Sequence, residues 1–295
     1  MRALGVDVGG SKLLACLADS EGRTLGRTVR ETGRATGPEK ACRLIVAAAR
    51  ELREAHGSFD VAGIGFPGQV DFPRGLVRAS VMLDGWLDVA LGARISEALG
   101  VPCVVDNDVN AAAVAELKQR DDDPPASMLF VSVGTGIGGA ITLGPHLWRG
   151  HTGVAGEIGN TTIDRHGATC WCGRRGCLNT CASGSAMQNA LGADVRLSAV
   201  TGSDHHRRED IIQAAATSLG IGIANALNLL NPALVVLGGG VSQLGPGWLE
   251  AVAAAARREA FPEAGQCRFE LALAGYEAGA TGAAWLALEM SGASA

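Results

Sequence analysis

The stretch ALGVDVGGSKLLACLAD, residues 3–19, decides the fold, because the stretch MLFVSVGTGIGGAITL, residues 128–143, repeats its plan. Each contains a short apolar run, a glycine-rich turn and a second apolar run, which is the pattern of two strands joined by a tight turn. The repeat indicates an internal duplication, so both halves of the chain are expected to contain a sheet of similar design.

Strands and helices alternate through both halves. Helical spacing of apolar residues predicts helices at 38–56, 86–99, 209–230 and 277–290, and apolar runs predict further strands at 61–71, 101–108 and 234–242. This alternation predicts an α/β fold with two sheets flanked by helices, in which ligands bind beyond the carboxyl ends of the strands. The polar stretch at 118–127 is expected to be a solvated loop.

The composition limits the functional classes. A chain of 295 residues with 47% hydrophobic and 19% charged residues is globular, and a net charge of -5 argues against a nucleic-acid partner. Asp7 interrupts the first apolar stretch, and Pro232 and several polar residues interrupt 211–241. We therefore expect neither a signal peptide nor a membrane span, and a cytoplasmic location in which the eight cysteines are reduced or bound to metal.

Three glycine-rich turns stand at predicted strand ends: DVGGSK at 7–12, VGTGIGG at 133–139 and LGGG at 237–240. A triphosphate needs backbone N–H donors at close range, where side chains would obstruct it. None of the turns has the P-loop pattern or the dinucleotide-binding pattern. Three such turns in one chain nevertheless favour phosphate binding over ordinary tight turns.

In this order, the turns resemble the two phosphate loops and the adenosine loop of the actin-like ATPase and sugar kinase superfamily, whose fold is ribonuclease H-like and two-lobed. GEIGN at 156–160, CWCGRRGC at 170–177 and VDNDVNAA at 105–112 resemble the signature of the ROK family (repressors, open reading frames, kinases). The resemblance extends from about residue 4 to 290. It implies an ATP-dependent kinase that phosphorylates the hydroxymethyl hydroxyl of a hexose or hexose-like ring.

The resemblance also implies the lobes and the nucleotide site. Residues 1–110 with 277–295 would form a smaller lobe, and residues 111–276 a larger lobe. Asp7 would order Mg²⁺ through water. The other residues implied to bind ATP are Gly9, Gly10, Ser11, Lys12, Gly134, Thr135, Gly136, Gly138, Gly238, Gly239 and Gly240.

Phosphoryl transfer to an alcohol needs an acceptor for the hydroxyl proton. Asp108 lies between Asn107 and Asn110 at the end of a predicted strand, where such residues also cap helices. We interpret Asn110 as a cap and, from the family pattern, Asp108 as the general base. The resemblance implies that the sugar is bound by Gly68, Asn107, Asp108, Glu157, Asn160 and Asn179. Trp86 is interpreted equally well as a core residue or as a wall of the pocket.

Cys170, Cys172 and Cys177 lie on a short glycine-rich knuckle, which favours a structural zinc site over three reduced cysteines. The family's fourth ligand is a His that also contacts the sugar, and here that position is Asn160, a poor zinc ligand. His166, Cys181 or water are alternative fourth ligands.

A second departure is Asn179, which replaces a family Glu near the anomeric end of the sugar. An imidazole and a carboxylate have thus become two amides on one side of the pocket. The alternative substrate is therefore a modified ring, a C7-cyclitol or an amino sugar such as 3-amino-3-deoxyglucose, with glucose a poor substrate.

Three rival functions fit the sequence less well than a kinase. A sugar-responsive repressor of the family would carry a helix-turn-helix module before the first glycine turn, and here the first strand begins near Met1. A non-catalytic sugar-binding regulator fits poorly with an intact Asp108 and both phosphate loops. An actin-like ATPase acting on a protein partner would not need Glu157 and the cysteine motif. The family resemblance further implies a homo-oligomer, a dimer or a tetramer, with a small-molecule sugar or cyclitol substrate.

Overall fold

A computed structural model describes residues 1–33, 35–192 and 204–292 of the chain. The chain divides into two compact units. Unit 1 comprises Met1–Pro124, Arg149–Ala155 and Leu273–Ala295, and unit 2 comprises Pro125–Trp148 and Gly156–Ala272. Compared with the predicted smaller lobe, unit 1 also contains residues 111–124, 149–155 and 273–276.

The strands within the described residues contain three to eight residues each. They are β1 (Ala3–Val8), β2 (Lys12–Ala18), β3 (Thr24–Glu31), β4 (Val61–Phe66), β5 (Gln69–Asp71), β6 (Leu76–Ala79), β7 (Leu87–Val89), β8 (Cys103–Asn107), β9 (Ser127–Val133), β10 (Ile137–Leu143), β11 (His146–Trp148), β12 (Leu234–Gly238) and β13 (Arg268–Leu271).

The helices within the described residues range from one turn to more than seven. They are α1 (Pro38–His56), α2 (Leu91–Leu99), α3 (Asp108–Lys118), α4 (Asn179–Ala182), α5 (Gly184–Leu191), α6 (Asp204–Leu230), α7 (Pro246–Glu259) and α8 (Ala278–Met290).

The two large sheets have the same topology. Unit 1 contains the order β3-β2-β1-β4-β8, and unit 2 the order β11-β10-β9-β12-β13. In each order, the first two pairs of neighbouring strands are antiparallel and the last two pairs are parallel. The α/β class and the internal duplication predicted from the sequence are therefore confirmed.

A third sheet in unit 1, with the antiparallel order β5-β6-β7, was not predicted. Its strands have three or four residues, which is too short for a strand period to show in the sequence. The predicted helix at 86–99 consequently begins only at Leu91. Asp88 has a positive φ of 49° within β7, which is incompatible with a helix there.

Helix α1 matches its predicted bounds of 38–56, because its signals are local. Pro38 stands in the first turn, apolar residues such as Ala41, Ile45 and Leu52 recur on its buried face, and Gly57 follows the last turn with a φ of 93°.

Helix α8 packs directly against backbone within unit 1. A methyl group at Gly5 of β1 would overlap the carbonyl of Ala280, and one at Gly63 of β4 would overlap that of Ala283. Glycine in the strands and small residues in the helix allow this approach. A methyl group at Gly282 would likewise overlap the carbonyl of Ala111, so α8 also fixes α3, which begins at Asp108.

One stretch of the described helices, His206–Leu230 in α6, is long and apolar enough to cross a membrane. The core helix of a soluble protein satisfies the same criterion, and α6 packs against α7 in unit 2.

Candidate active site

The first glycine turn joins β1 to β2 and is held by β3. Gly9 N donates to the Lys12 carbonyl at 2.8 Å and closes the turn. Thr32, directly after β3, donates from Oγ1 to the Gly9 carbonyl at 2.7 Å and from its backbone N to the Ser11 carbonyl at 3.0 Å. Sequence reasoning missed Thr32, since its bonds to the turn span more than twenty residues. Ser11 and Lys12 are exposed, as a phosphate contact requires.

Asp7, in β1, belongs to an electrostatic cluster beside this turn. Burial, together with the charge of Asp108, raises the pKa of Asp7 to about 7, although Lys12 lowers it. The Lys12 ammonium lies 4.0 Å from the centre of the Tyr276 ring. A buried carboxylate whose ionisation a neighbouring carboxylate disfavours would be stabilised in its charged form by a divalent cation.

The strand β8 delivers the predicted base to the start of α3. Asn107 is the N-cap of α3, and its Oδ1 accepts hydrogen bonds from Val109 N at 2.9 Å and Asn110 N at 3.2 Å. Its Nδ2 donates to the Gly68 carbonyl at 3.1 Å. Asp108 follows as the first helical residue. The interpretation of Asn110 as the cap was wrong, because Asn107 already occupies that position.

Asp106 supports this strand end and was not singled out from the sequence. Its side chain is 2% exposed, and Oδ1 accepts hydrogen bonds from Asn107 N at 2.7 Å and Asn110 Nδ2 at 2.9 Å. The buried Asn110 therefore serves the carboxylate of Asp106 instead of the helix terminus. The only sequence signal was an extra Asp directly before the Asn-Asp pair in VDND.

Gly68 and Trp86 have structural explanations within unit 1. A methyl group at Gly68 would overlap the carbonyl of Ala79, so glycine is required by the approach of β6. Trp86 is 4% exposed, its Nε1 donates to the Thr36 carbonyl at 3.0 Å, and its ring centre lies 4.2 Å from that of Phe66. The core interpretation of Trp86 is thus the one that the structure supports.

The second glycine turn joins β9 to β10 in unit 2. Gly134 N donates to the Gly136 carbonyl at 2.8 Å, and Gly184 N donates to the Gly134 carbonyl at 2.8 Å. The start of α5 thus packs on the turn. A methyl group at Gly136 would lie 3.3 Å from Asn179 Oδ1, whereas Thr135 is exposed.

A cavity of about 780 Å³ opens beside this turn. Its lining includes Gly134, Thr135 and Gly240, three of the predicted nucleotide residues. Polar side chains that sequence reasoning missed complete the wall: Ser185, Gln188, Asn189, Arg208 and Gln243. The volume suits a nucleoside, and ligand cavities of 300–1,000 Å³ are typical.

The third glycine run divides into packing and lining residues. A methyl group at Gly238 would lie 2.7 Å from Phe130 Cζ, and one at Gly239, with a φ of 82°, would lie 2.5 Å from the Val133 carbonyl. Gly240 has open space around it and lines the cavity. Gly238 and Gly239 are therefore required for close packing, whereas Gly240 leaves the cavity open to a ligand.

Glu157, Asn160 and Asn179 are brought together in unit 2. Asn160 Nδ2 donates to Glu157 Oε2 at 2.7 Å, and Asn179 Nδ2 donates to Asn160 Oδ1 at 3.2 Å. Asn179 Oδ1 accepts a hydrogen bond from Ile137 N at 2.7 Å. Desolvation by the surrounding protein raises the pKa of Glu157, and the hydrogen bond from Asn160 opposes that rise.

The sulfur atoms of Cys170, Cys172 and Cys177 lie within 4.8 Å of one another, which supplies three of the four ligands of a tetrahedral zinc site. Burial raises the pKa of the Cys172 thiol, but hydrogen bonds from Arg174 outweigh this effect and bring the pKa down to about 7. The lower pKa favours the thiolate that zinc needs. The proposed alternatives His166 and Cys181 do not belong to this group.

Arg174 connects the cysteine knuckle to the asparagine at the family's histidine position. Its guanidinium bonds the sulfur of Cys172, and its Nη2 donates to the backbone carbonyl of Asn160 at 3.0 Å. Sequence reasoning did not single out Arg174, since nothing in CWCGRRGC indicates which arginine turns toward residue 160.

The duplicated sheets and their glycine turns define a phosphotransferase of the actin-like ATPase class. The sequence matches the ROK family over residues 3–290. A glucokinase from Halalkalibacterium halodurans is 32% identical over 311 residues, covering 96% of this chain and 94% of that protein. An N-acetylmannosamine kinase from Yersinia pseudotuberculosis is 34% identical over 260 residues, covering 86% of this chain and 88% of that protein.

A solved structure gives the same result. The crystal structure of a ROK family glucokinase from Streptomyces griseus in complex with glucose and AMPPNP superposes with a TM-score of 0.86 at 29% identity, covering 98% of this chain and all of that one. The chain therefore belongs to the ROK family. It is an ATP-dependent sugar kinase, and the resemblance stated from its motifs is confirmed.

Proposed function

We propose that the protein transfers the γ-phosphoryl group of ATP to the hydroxymethyl hydroxyl of a hexose or hexose-like ring, with Asp108 as the general base. The observation that carries the proposal is the position of Asp108 at the start of α3, close enough to Asp7 that its charge adds to burial in raising the pKa of Asp7 to about 7. One carboxylate then accepts the hydroxyl proton, and the other helps to hold Mg²⁺.

The donor side of the proposal rests on the glycine turns. In the proposal, each turn offers phosphate a backbone N–H group that its own closing bond does not use, from Gly10 in unit 1 and from Gly136 in unit 2, and Lys12 adds positive charge to the first turn. The nucleoside occupies the cavity of about 780 Å³ that Gly240 helps to line. A bound Mg²⁺ would neutralise developing charge on the phosphates.

The acceptor side rests on residues matching the family's sugar ligands. Glu157 accepts hydrogen bonds from ring hydroxyls, and Asn107 has one N–H left after its cap and its bond to Gly68. The zinc site at the three cysteines is part of the same proposal. It would stabilise the knuckle that reaches Asn160 through Arg174.

A modified ring is the second candidate substrate, and a specific observation favours it. The positions of an imidazole and a carboxylate in the family pattern are held here by Asn160 and Asn179, and the Asn160 amide adds an N–H donor to that side. A relative of 34% identity is an N-acetylmannosamine kinase, whose name also points to a ring bearing an amide. C7-cyclitols and 3-amino-3-deoxyglucose are the other members of this candidate class.

A coupled assay for ADP release with a panel of sugars and cyclitols tests the proposal. We expect sugar-dependent ADP release that requires Mg²⁺, with a product phosphorylated at the hydroxymethyl oxygen. ADP release that no member of the panel stimulates would favour a sugar-binding regulator or an ATPase with a protein partner.

A further inference from the structure

Two asparagine side chains join the second glycine turn to Glu157 through a continuous line of hydrogen bonds. The line runs from Ile137 N to Asn179 Oδ1 at 2.7 Å, from Asn179 Nδ2 to Asn160 Oδ1 at 3.2 Å, and from Asn160 Nδ2 to Glu157 Oε2 at 2.7 Å. Ile137 directly follows the turn as the first residue of β10, so the line starts at backbone next to the proposed phosphate contacts.

The direction of every bond in this line is determined by its first member. A backbone N–H only donates, so Ile137 holds the oxygen end of the Asn179 amide. The nitrogen end of Asn179 must then face Asn160, whose oxygen accepts it. The nitrogen of Asn160 is consequently turned to Glu157, whose ionised carboxylate only accepts. Reversing either amide would oppose two acceptors or two donors.

Asn179 is buried within this line. It is 5% exposed, whereas Glu157 is accessible to solvent. We propose that Asn179 is a positioning residue: its oxygen holds the second glycine turn, and its nitrogen orients Asn160 and thereby Glu157. The proposal rests on the sugar-kinase function above, and it gives Asn179 a role through Asn160 instead of a direct contact with the sugar.

The same line restricts the substrate group that Asn160 can recognise. Its amide oxygen already accepts a hydrogen bond from Asn179, and one of its N–H groups donates to Glu157, so the donor that the Asn160 side chain offers a substrate is its second N–H. A ketone, an amide carbonyl or a hydroxyl oxygen accepts this hydrogen bond. A protonated amine only donates, so it cannot accept from this N–H, whereas it is compatible with the carboxylate of Glu157.

Two variants of Asn179 separate the two ends of its amide. Asn179→Asp has the same shape and still accepts from Ile137 N, but it no longer donates to Asn160. We expect its sugar KM to rise about tenfold while its ATP KM stays within about twofold of wild type, because only the sugar branch is broken. Asn179→Ala breaks both branches, so both KM values should rise.

Asn160→Ala should reproduce the effect of Asn179→Asp, since it removes the link between Asn179 and Glu157. Asn225→Asp, an exposed asparagine-to-aspartate change on α6 in the same unit, is the matched control and should leave both KM values unchanged. Thermal unfolding of each variant checks that it is folded.

An unchanged sugar KM in Asn179→Asp would overturn the proposal. So would equal rises of the sugar and ATP KM values in that variant, since these would show a general structural role. The result is distinguishable from a failure of the proposed function, in which wild type itself would show no sugar-dependent ADP release.

Discussion

Arg149 Nε donates a hydrogen bond to Asp106 Oδ2 at 2.8 Å, and the two side chains form an ion pair of which the carboxylate is 2% exposed. The guanidinium also lies 3.7 Å from the centre of the Phe72 ring. The other oxygen of Asp106 holds Asn107 N and Asn110 Nδ2 at the start of α3. The first residue of the segment 149–155 is thus tied to the strand end that carries the proposed base.

A second buried carboxylate, that of Glu116, holds the start of the last segment of unit 1, which begins at Leu273. Glu116 of α3 is 0% exposed, and it accepts hydrogen bonds from Leu273 N and Ala274 N, each at 2.9 Å, and from Arg120 Nη2 at 2.6 Å. Leu273 begins that segment, as Arg149 begins the other. The first residue of each of these two segments therefore bonds a buried carboxylate, Asp106 just before α3 or Glu116 within α3.

Arg149→Met should destabilise the protein by about 3 kcal/mol or more, because it leaves the Asp106 carboxylate buried without its counter-ion. The midpoint of thermal unfolding measures this loss. The double variant Asp106→Asn/Arg149→Met should recover part of the stability, since no charge is then buried unpaired. Arg258→Met, at an exposed ion pair, is the control. Equal midpoints for Arg149→Met and this control would mean that the pair contributes no stability.

Asp108→Asn should lower kcat by roughly 100-fold or more, because the amide cannot accept the hydroxyl proton. The KM for the sugar should change little, since the amide keeps the size and most ground-state contacts of the carboxylate. Steady-state kinetics with the best substrate measures both values. Asp121→Asn, an exposed change of the same kind, should behave as wild type. A kcat near that of wild type would remove Asp108 from the mechanism.

The stability of the ligand-free protein should fall as the pH rises from about 4 to 7, because of Asp7. Its pKa is about 7 in the folded protein and 3.8 ordinarily, so the folded state binds more protons across this range. Stability therefore decreases as the proton is lost, by on the order of 4 kcal/mol in total, and it is fully present only below pH 3.8.

Thermal unfolding of wild type and Asp7→Asn across this pH range measures the effect of Asp7. The variant cannot ionise at this position, so the difference in midpoint between the two proteins should grow in its favour with pH. Asp122→Asn, an exposed aspartate change, should run parallel to wild type. Parallel curves for Asp7→Asn and wild type would mean that Asp7 titrates at its ordinary pKa.

The protein should contain about one zinc per chain, as expected for a tetrahedral structural site. Removing the metal should weaken sugar binding more than ATP binding, because Arg174 connects the knuckle to Asn160. Metal analysis and calorimetric titration with each ligand provide the measurements. Cys172→Ser should lower the zinc content, whereas Cys267→Ser, outside the cluster, should not. Protein purified without chelators and free of zinc would contradict this prediction.

Residues whose roles depend on local chain geometry were predictable from the sequence. The bounds of α1 follow from its first-turn proline, its apolar spacing and the glycine after it, and both glycine hairpins follow from their turns. The roles of Thr32, Asp106 and Arg174 were not predictable in this way. Their partners are set by sheet register and loop packing, and a polar residue in isolation gives no sign of its partner.

The hydrogen-bond partners of Asn179, at the candidate site, were likewise not predictable from the sequence. The family pattern identified it as a changed position and assigned it to the sugar. Its burial and its bond to Ile137 N, forty-two residues earlier, come from tertiary contacts made where α4 begins. Sequence comparison locates such a position but does not reveal which of its neighbours uses the amide.

Glucose should be a poor substrate compared with a modified ring. A site with Asn160 and Asn179 where the family pattern has an imidazole and a carboxylate has lost acceptors for a pair of glucose hydroxyl donors. The loss of two such hydrogen bonds lowers kcat/KM by roughly tenfold to a hundredfold. We therefore expect an N-acetylated hexosamine, a keto-cyclitol or 3-amino-3-deoxyglucose to exceed glucose in kcat/KM, measured under identical conditions with saturating ATP.

The double variant Asn160→His/Asn179→Glu provides the matched comparison, because it restores the family residues and leaves Asp108 and Glu157 in place. It should raise kcat/KM for glucose and lower it for the preferred modified ring, so that the order of substrates moves toward glucose. Glucose as the best wild-type substrate, at a kcat/KM usual for an efficient kinase, would show that the two asparagines are neutral replacements. In that case the amide N–H groups would not select the substrate, even where Asn179 still orients Asn160.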